Sequence, residues 1–160
     1  MEKRKVRIPD TTLPQCIICD LDGTAAINQD RGWYDYDKVM NDTFDPRIKY
    51  LLERAIDDGV YIIFLTGREA VPVCKEVTYK WIEENMGSPI VKKMSGYDKR
   101  YEILMRTEKD HRPDNIVKKE IYQNNIEGVY NVLFVLEDRK KVIDMYRELG
   151  LLTFQVYDEE

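Results

Sequence analysis

Short apolar runs that end in polar or acidic residues are the feature of this 160-residue chain that most constrains its fold. In the run NVLFVLE at 131–137 all residues between Asn131 and Glu137 are apolar, which predicts a strand buried on both faces. QCIICD at 15–20 and VYIIFLT at 60–66 are also apolar and predict strands. Strands that alternate with helices form mostly parallel sheets with helices on both faces. The sequence therefore predicts an α/β fold.

Helical spacing and turn residues predict the remaining elements. Four helices are expected, each with a start or stop signal at its boundary. They cover 46–58, opened by Asp45-Pro46 and closed by Gly59; 72–86, closed by Gly87; 114–125, capped by Asp114; and 139–149, ended by Gly150. Two further strands are YEILMR at 101–106 and LLTFQVY at 151–157. Residues 1–14 predict a basic arm, and residues 15–160 predict one domain.

The composition limits what the chain can bind. Its formal net charge is −5 and its pI is about 5.1, which argues against tight duplex binding through a basic face. No apolar run reaches the roughly 18 residues of a membrane span, so no membrane partner is expected. Cys16 and Cys19 point to opposite faces of a predicted strand and are expected in the core. We expect a cytoplasmic protein, in the host cytoplasm if a phage encodes it.

Acidic residues follow the predicted strands at the sheet edge where parallel sheets bind ligands. Asp20 follows the first strand and Glu137-Asp138 ends the fourth; Thr66 ends the second, and Lys118 lies on the helix before the fourth. Carboxylates this close would repel one another unless a hard divalent cation lay among them, and Mg²⁺ suits such oxygen ligands. The cation, Lys118 and Thr66 would together surround the oxygens of a phosphate ester. The sequence therefore predicts a magnesium-dependent site for phosphoryl transfer.

The stretch DLDGT at 20–24 predicts how the reaction is divided. Asp20, kept ionised by the metal, can attack phosphorus and form an acyl phosphate. Asp22, whose side chain is kept off the metal, can protonate the leaving oxygen and later deprotonate water. Gly23 permits a tight turn and a close approach of the backbone to the phosphate. An ordinary Asp-Gly turn is the alternative for this pair, and a solvated lysine is the alternative for Lys118.

The four motifs together, DLDGT, Thr66, Lys118 and Glu137-Asp138, resemble those of the haloacid dehalogenase (HAD) type phosphohydrolases. The resemblance implies a HAD-like Rossmannoid fold with a mostly parallel five-stranded sheet. It also implies a phosphoric monoester hydrolase. About 23 residues separate Asp22 from the first long helix, which is too few for a helical cap domain. We therefore expect a site that no large cap covers.

From residue 16 onward the chain also resembles the phosphatase domain of bacteriophage polynucleotide kinase/phosphatases, which removes 3′-phosphates from nucleic acids. Matching segments include RGWYD at 31–35, TGRE at 66–69, RPDNIVKKEIY at 112–122 and EDRKKVIDMYRELGLLTFQV at 137–156. The resemblance implies that Arg31 and Arg68 bind near the scissile phosphate or the adjoining nucleotide, together with Gly67. It also implies that Asp114 orients Lys118 or an arginine.

The metal ligands follow from the same resemblance. Asp20, Asp138 and the backbone carbonyl of Asp22 would bind Mg²⁺. Glu137 stands where the phage enzymes usually have Asp, so its contact with the metal is either direct or through a water molecule. No GxxxxGK[ST] phosphate loop occurs in the sequence, so the kinase half is missing from it. A 5′-kinase or a ligase would then be a separate partner.

The sequence thus predicts a stand-alone, magnesium-dependent polynucleotide 3′-phosphatase that acts on DNA or RNA ends. One alternative is a phosphatase for a small nucleotide or sugar phosphate, with residues 88–100 as a small lid. Another is a non-catalytic module that binds nucleic-acid ends. Trp33, with Tyr34 and Tyr36, either stacks on a base or lies on the surface without a ligand. His111 is expected on a loop surface, and Trp81 in the core.

Overall fold

Residues 7–158 are described by the structure, a computed structural model, and they contain nine strands and four α-helices. The strands of the central sheet are β1 (Gln15–Cys19), β4 (Tyr61–Glu69), β7 (Tyr101–Arg106), β8 (Asn131–Glu137) and β9 (Thr153–Gln155). Two antiparallel hairpins are formed by β2 (Ala26–Ile27) with β3 (Thr43–Phe44), and by β5 (Ile90–Lys93) with β6 (Gly96–Lys99). The helices are α1 (Pro46–Asp57), α2 (Pro72–Met86), α3 (Asp114–Asn125) and α4 (Lys140–Glu148).

The central sheet has the order β7-β4-β1-β8-β9, and every neighbouring pair in it is parallel. The predicted five-stranded α/β sheet is therefore confirmed. Cys19, the last residue of β1, pairs with Phe64 on one side and Leu136 on the other. The carboxyl ends of β1, β4 and β8 consequently meet at one edge of the sheet. Polar residues that follow these strands are brought together there.

Helices cover both faces of the sheet, and the alternation of side chains along β1 shows how. Ile17 and Cys19 pack on the face that α1 and α2 cover, whereas Cys16 and Ile18 pack on the face that α3 and α4 cover. Both cysteines are buried, which confirms that they belong to the core and point to opposite sides. Trp81 of α2 is also buried, as predicted, and stacks on Phe44 at a centroid distance of 5.1 Å.

The connection between β1 and α1 is short and contains no helical cap. Between Gly23 and Asp45 it forms the small β2–β3 hairpin and one 3-10 helix, Tyr36–Asn41. The indole N–H of Trp81 donates to the carbonyl of Asp42 at 2.9 Å, which fixes the end of this connection over α2. Across residues 7–158 no large cap covers the strand ends, in agreement with the predicted open site.

Residues 88–100 form the β5–β6 hairpin, which leads into the amino end of β7. The backbone N–H of Ile62, near the start of β4, donates to the carbonyl of Arg100 at 3.1 Å. The hairpin therefore lies at the opposite edge of the sheet from Asp20. The expectation that this segment could act as a lid over the site is wrong. The hairpin lies at the amino ends of β4 and β7, and the length of the strands separates it from Asp20 at the carboxyl end of β1.

The amino-terminal segment lies partly outside the described residues, since the predicted arm begins at residue 1 and the description begins at residue 7. Arg7 donates to the hydroxyl of Tyr122 at 2.9 Å and to Glu127 at 3.0 Å. The backbone carbonyl of Pro14 accepts from Asn131 N at 2.8 Å. Residues 7–14 thus contact the domain, and its boundary at residue 15 stays a prediction. None of the described helices is long and apolar enough to cross a bilayer.

Candidate active site

The end of β1 delivers Asp20 into a tight turn. Its backbone N–H donates to Leu136 O at 3.0 Å, which extends the pairing with β8 by one residue. Gly23 N donates to Ala26 O at 3.1 Å and closes the turn. Gly23 has a φ of +86°, and a Cβ added there would overlap the carboxylate of Asp138. This position accepts only glycine, because both its backbone conformation and the close approach of Asp138 exclude a side chain.

A buried lysine joins two of the predicted site residues. Lys118, in the second turn of α3, is only 1% exposed. Its Nζ donates to Asp20 Oδ1 at 2.7 Å and to Glu137 Oε2 at 2.8 Å. Single oxygens of Asp20, Glu137 and Asp138 lie within 4.8 Å of one another. This group of three carboxylates and one ammonium group has a formal excess of two negative charges. We call Asp20, Lys118, Glu137 and Asp138 the acidic cluster.

The excess charge of the acidic cluster shifts the pKa values of its members. Burial, and then the Glu137 carboxylate, raises the pKa of Asp20 to about 7, although Lys118 opposes the shift. Burial is also the largest cause that raises the pKa of Glu137, and burial and then Asp20 raise that of Asp138. Burial disfavours the charged form of Lys118, but the surrounding carboxylates raise its pKa well above the ordinary value.

This donor set fits a hard divalent cation. All three acids offer carboxylate oxygens, and their unmatched charge equals that of one such ion. Asp138 Oδ1 is buried and accepts no hydrogen bond from any residue that the structure describes. Glu137 Oε1 differs, because it accepts from the backbone N–H groups of Asp138 and Arg139 at 3.1 and 3.2 Å. The acidic cluster could hold Mg²⁺, with Asp138 offering the freest oxygen.

Asp22 faces a second group of charges, two residues from the first. Arg68 donates to both of its oxygens, from Nε at 2.9 Å and from Nη2 at 2.7 Å, and Arg31 Nη2 adds a bond at 3.0 Å. Arg31 also forms a fork with Asp42, at 2.9 Å from Nε and 2.6 Å from Nη2. We call Asp22, Arg31, Asp42 and Arg68 the arginine cluster. Its two cations and two anions balance.

The arginine cluster shifts the pKa of Asp22 in the opposite direction from that of Asp20. Burial opposes ionisation of Asp22, but hydrogen bonds and charge from Arg68, and then from Arg31, hold its pKa below the ordinary value. Arg68 is also fixed by Thr78, whose Oγ1 accepts from Nη1 at 3.1 Å. In this arrangement Asp22 is an ionised carboxylate at neutral pH.

Asp42 is a site residue that the sequence did not reveal. It lies in a loop after Asn41, outside every motif, and no spacing distinguishes it from a surface aspartate. Its carboxylate is nonetheless buried, because Arg31 binds it bidentately and Arg68 Nη2 lies 3.5 Å away. The one available signal was indirect: two buried arginines need a second carboxylate beside Asp22.

The end of β4 differs from the prediction. The strand does not end at Thr66 but continues to Glu69, and its register with β7 slips between these two residues. Gly67 and Arg68 bulge out of the ladder, which turns Arg68 towards Asp22. Thr66 is buried, and its Oγ1 accepts from Arg68 N at 3.2 Å. The bulge therefore links Thr66 to the arginine cluster.

Asp114 was predicted to cap α3, and this is wrong. The cap position belongs to Pro113, and no side chain caps the helix. The carboxylate of Asp114 instead accepts from Arg106 Nη2 at 2.9 Å and lies 3.4 Å from Lys118 Nζ. A Cβ added to Gly67 would overlap Asp114, so glycine makes room for this carboxylate. The expected orienting role for Asp114 is compatible with both contacts.

Above these clusters a cavity of about 390 Å³ opens to solvent, and Asp20, Asp22, Gly67 and Arg68 line its floor. The rim is formed by aromatic and charged side chains from three segments of the chain. These include Trp33, Tyr34, Tyr36, Arg106, His111, Arg112 and Arg139. His111 lies on an exposed loop, as predicted, with Nδ1 3.4 Å from Glu69 Oε1. All predicted site residues therefore lie in one connected region at the carboxyl edge of the sheet, although their individual roles stay predictions.

Fold and site together define a phosphohydrolase of the HAD class. Residues 14–160 match the family model described as the polynucleotide kinase PNKP phosphatase domain. The chain belongs to this family of HAD polynucleotide phosphatase domains.

Known proteins with similar sequences or structures agree with that family. A protein of Autographa californica nuclear polyhedrosis virus, described by inference as a bifunctional polynucleotide kinase/RNA ligase, is 33% identical over 147 residues. The match covers 88% of this chain but 19% of the viral protein. Two structures of Pnkp1/Rnl/Hen1 complexes, one described as an RNA repair complex, contain similar chains. Their TM-scores are 0.84 and 0.83, with 33% and 34% identity.

Those two matches cover 100% and 99% of this chain and 48% and 51% of the chains in the complexes. The chain thus spans about half the length of its structural relatives and about a fifth of the viral one. A class C acid phosphatase from Bacillus anthracis, solved with tungstate bound, is 19% identical with a TM-score of 0.55. That match covers 80% of this chain and 53% of the other, and at this identity it shows the shared fold alone.

Proposed function

We propose that the chain is a magnesium-dependent polynucleotide 3′-phosphatase that acts on DNA or RNA ends through an aspartyl-phosphate intermediate. The observation that carries the proposal is the position of Asp20. Its carboxylate lies on the floor of an open cavity, hydrogen-bonded to a buried lysine and beside two further acids. Membership in a family of polynucleotide phosphatase domains supports the substrate class.

The acidic cluster supplies the proposed metal ligands. Asp20, Asp138 and the backbone carbonyl of Asp22 would hold Mg²⁺, and Glu137 would act directly or through a water molecule. Its two oxygens already accept bonds from Lys118 and from backbone N–H groups, which favours the water-mediated contact. When bound, Mg²⁺ supplies positive charge that keeps the carboxylates ionised and attracts phosphate oxygens.

The first chemical step transfers the phosphoryl group to Asp20. A carboxylate oxygen of Asp20 forms a bond to phosphorus, while the bond from phosphorus to the 3′-oxygen breaks and leaves its electron pair on that oxygen. A proton from Asp22 neutralises the leaving 3′-oxygen. Lys118 donates to Asp20 Oδ1, so it holds the attacking group in place. Thr66 would donate to the oxygens of the transferred group.

The second step frees the enzyme. Asp22 takes a proton from water, the resulting oxygen attacks phosphorus, and the bond between phosphorus and Asp20 breaks to release inorganic phosphate. The arginine cluster favours this base role, because it holds the pKa of Asp22 below the ordinary value. The acid role requires that Asp22 first receive a proton. A bound phosphate would assist that by drawing an arginine away from Asp22.

The open mouth favours a polymer substrate, since a long chain can enter with its end first. The names of the relatives join polynucleotide kinase, RNA ligase and RNA repair, and by analogy a kinase and a ligase are the proposed partners here. We expect the 160 residues to release phosphate without a kinase domain. The cytoplasmic location stays a prediction.

The proposal is tested by phosphate release from matched DNA and RNA oligonucleotides that carry a 3′- or a 5′-phosphate, and from a 3′-mononucleotide, each with Mg²⁺ or with EDTA. We expect release from 3′-phosphorylated oligonucleotides only with Mg²⁺, and none from Asp20→Asn, because the nucleophile is removed. Faster release from the mononucleotide would favour a small-molecule phosphatase. Binding of ends without release from any ester would indicate a non-catalytic module.

A further inference from the structure

An exposed aromatic side chain stands at the rim of the cavity without a role in the proposed reaction. Trp33 is 61% exposed, although an indole ring is among the largest apolar groups a protein carries. Tyr34 beside it is 80% exposed, and both line the cavity that has Asp20 on its floor. Exposed aromatic rings that converge on a polar cavity indicate a ligand with a flat, apolar face.

Trp33 is held against a cation. The guanidinium carbon of Arg139 lies 5.8 Å from the centre of the Trp33 ring, in a cation–π contact. Because Trp33 is 61% exposed, most of its surface beyond that contact is open to the cavity mouth and solvent. Indole and guanidinium side by side form a stacking surface with positive charge, which is what single-stranded nucleic acids meet on sequence-tolerant binding proteins.

A continuous series of contacts connects this surface to the reacting group. Arg139 Nη1 lies 3.7 Å from Asp114 Oδ2, and Asp114 Oδ2 lies 3.4 Å from Lys118 Nζ. Lys118 in turn donates to Asp20 at 2.7 Å. The ring at the rim and the nucleophile on the floor therefore line the same cavity and are connected through Arg139, Asp114 and Lys118. A nucleic-acid end whose phosphate reaches Asp20 passes the rim on which Trp33 lies.

The net charge of −5 gives the protein as a whole little attraction for a polyanion, so affinity for an end needs local contacts. We infer that Trp33, supported by Arg139, is a stacking site for the nucleobase of the 3′-terminal nucleotide and selects a nucleic-acid end over a small phosphate ester. The inference rests on the proposed 3′-phosphatase function for its catalytic readout. The binding site itself does not depend on catalysis.

The test compares Trp33→Ala, Trp33→Phe and Tyr50→Ala. Tyr50 is the matched control, since it is also an exposed aromatic ring with an arginine over it, Arg54 at 5.8 Å, but it lies on α1. Each variant is assayed on a 3′-phosphorylated oligonucleotide, on the same oligonucleotide with an abasic 3′-terminal nucleotide, and on glycerol 2-phosphate, a small ester without a ring. We expect Trp33→Ala to raise KM for the base-bearing end on the order of ten-fold.

The same variant is expected to leave glycerol 2-phosphate hydrolysis and the KM for the abasic end unchanged, because neither substrate has a ring that can stack. Trp33→Phe should retain most of the affinity, and Tyr50→Ala all of it. Equal losses on glycerol 2-phosphate and oligonucleotide, or no loss on either end, would overturn the inference. So would an unchanged preference of Trp33→Ala for the base-bearing end over the abasic one.

A binding measurement separates this inference from the proposed function. Trp81 is buried and Trp33 exposed, so solvent-exposed tryptophan fluorescence reports on Trp33. Titration with a 3′-hydroxyl oligonucleotide, which cannot be hydrolysed, should quench that emission more than the abasic oligonucleotide does. Base-dependent quenching without phosphate release would retain the stacking site and refute the 3′-phosphatase. Equal quenching by both oligonucleotides would refute the stacking site even if the enzyme is active.

Discussion

Two buried charge clusters lie on either side of Leu21, and they handle charge in opposite ways. The acidic cluster around Lys118 has three carboxylates for one cation, whereas the arginine cluster around Asp22 has two of each. As a result, the pKa of Asp20 is raised to about 7 and that of Asp22 is lowered. The charge of Asp20 therefore still needs a cation to neutralise it, whereas the charge of Asp22 is already neutralised by two arginines.

The difference in charge balance shows which part of the site needs a ligand. A balanced cluster of buried ion pairs is complete without one and holds its side chains in place. A cluster with two unmatched negative charges is destabilising until a cation enters. The residues of the arginine cluster are thus positioned by the protein alone, while the acidic cluster is completed by what binds to it.

Loss of Lys118 should have the largest effect on the difference in charge balance between the two clusters. Lys118→Met removes the only cation of the acidic cluster and leaves the buried Asp20 and Glu137 and the half-buried Asp138 facing one another. We expect the free energy of unfolding to fall by about 3–5 kcal/mol in EDTA, as measured by urea unfolding, and activity to be lost. Lys119→Met is the matched control, because Lys119 is the exposed neighbour on α3 and should change neither. A loss of less than about 1 kcal/mol for Lys118→Met would contradict the charge count.

Exchange of Asp20 or Asp22 for asparagine should change the free energy of unfolding in opposite directions. Asp20→Asn removes one of the excess charges, so we expect the unfolding free energy in EDTA to rise by about 1 kcal/mol. Asp22→Asn leaves two buried arginines with one carboxylate, and we expect a fall of about 2–3 kcal/mol. Both variants should lose most or all activity. Stability changes of the same sign would refute the distinction between the clusters.

The sequence was sufficient for the acidic cluster and insufficient for the arginine cluster, for a physical reason. Asp20, Lys118 and Glu137 lie at fixed places relative to regular strands and helices, so topology alone brings them together. Asp42 lies in an irregular loop, and its burial depends on where Arg31 folds. Loop conformation follows from tertiary contacts that no local pattern encodes.

Two other differences have similar causes. The β5–β6 hairpin was not predicted, because its strands are exposed on both faces and show no apolar alternation. Asp114 has the sequence position of a helix cap, but its carboxylate binds Arg106 instead. The tendency of aspartate to cap a helix is outweighed there by the ion pair that Asp114 forms with Arg106.

Magnesium should remove much of the difference between the clusters. At concentrations well above its dissociation constant, Mg²⁺ is expected to raise the unfolding free energy of the wild-type chain by about 1–3 kcal/mol. Asp138→Asn should abolish most of this gain, since it removes the negative charge and one of the two oxygens of the carboxylate whose Oδ1 is buried without a hydrogen bond among the described residues. Asp144→Asn is the control, because Asp144 is a half-exposed acid on α4 that pairs with Lys140 away from the site. Equal stabilisation of all three proteins would place the ion elsewhere.

A buried carboxylate outside both clusters tests whether the stabilisation of Asp22 by arginines also applies beyond the site. Asp45 caps α1 by accepting from the backbone N–H groups of Arg47 and Ile48 at 2.8 and 3.4 Å, and the Tyr157 hydroxyl donates to it at 2.5 Å. The Arg47 side chain is the largest cause that lowers the pKa of Asp45, with Tyr157 adding to the shift against burial. We expect Asp45→Asn to cost about 1 kcal/mol at neutral pH.

The sign of the pH dependence follows from that lowered pKa. A carboxyl group whose pKa is lower in the folded state contributes its full stability above its unfolded pKa of about 3.9. The contribution is lost as the pH falls through the folded value. The difference between wild type and Asp45→Asn should therefore be constant from about pH 7 to about pH 5 and shrink towards about pH 2. Urea unfolding across that range measures it, with Asp57→Asn in the exposed Arg54–Asp57 pair as the control. A difference that grew on acidification would mean that the fold stabilises the protonated form of Asp45. Stabilisation of an ionised carboxylate by neighbouring arginines would then apply to the arginine cluster alone.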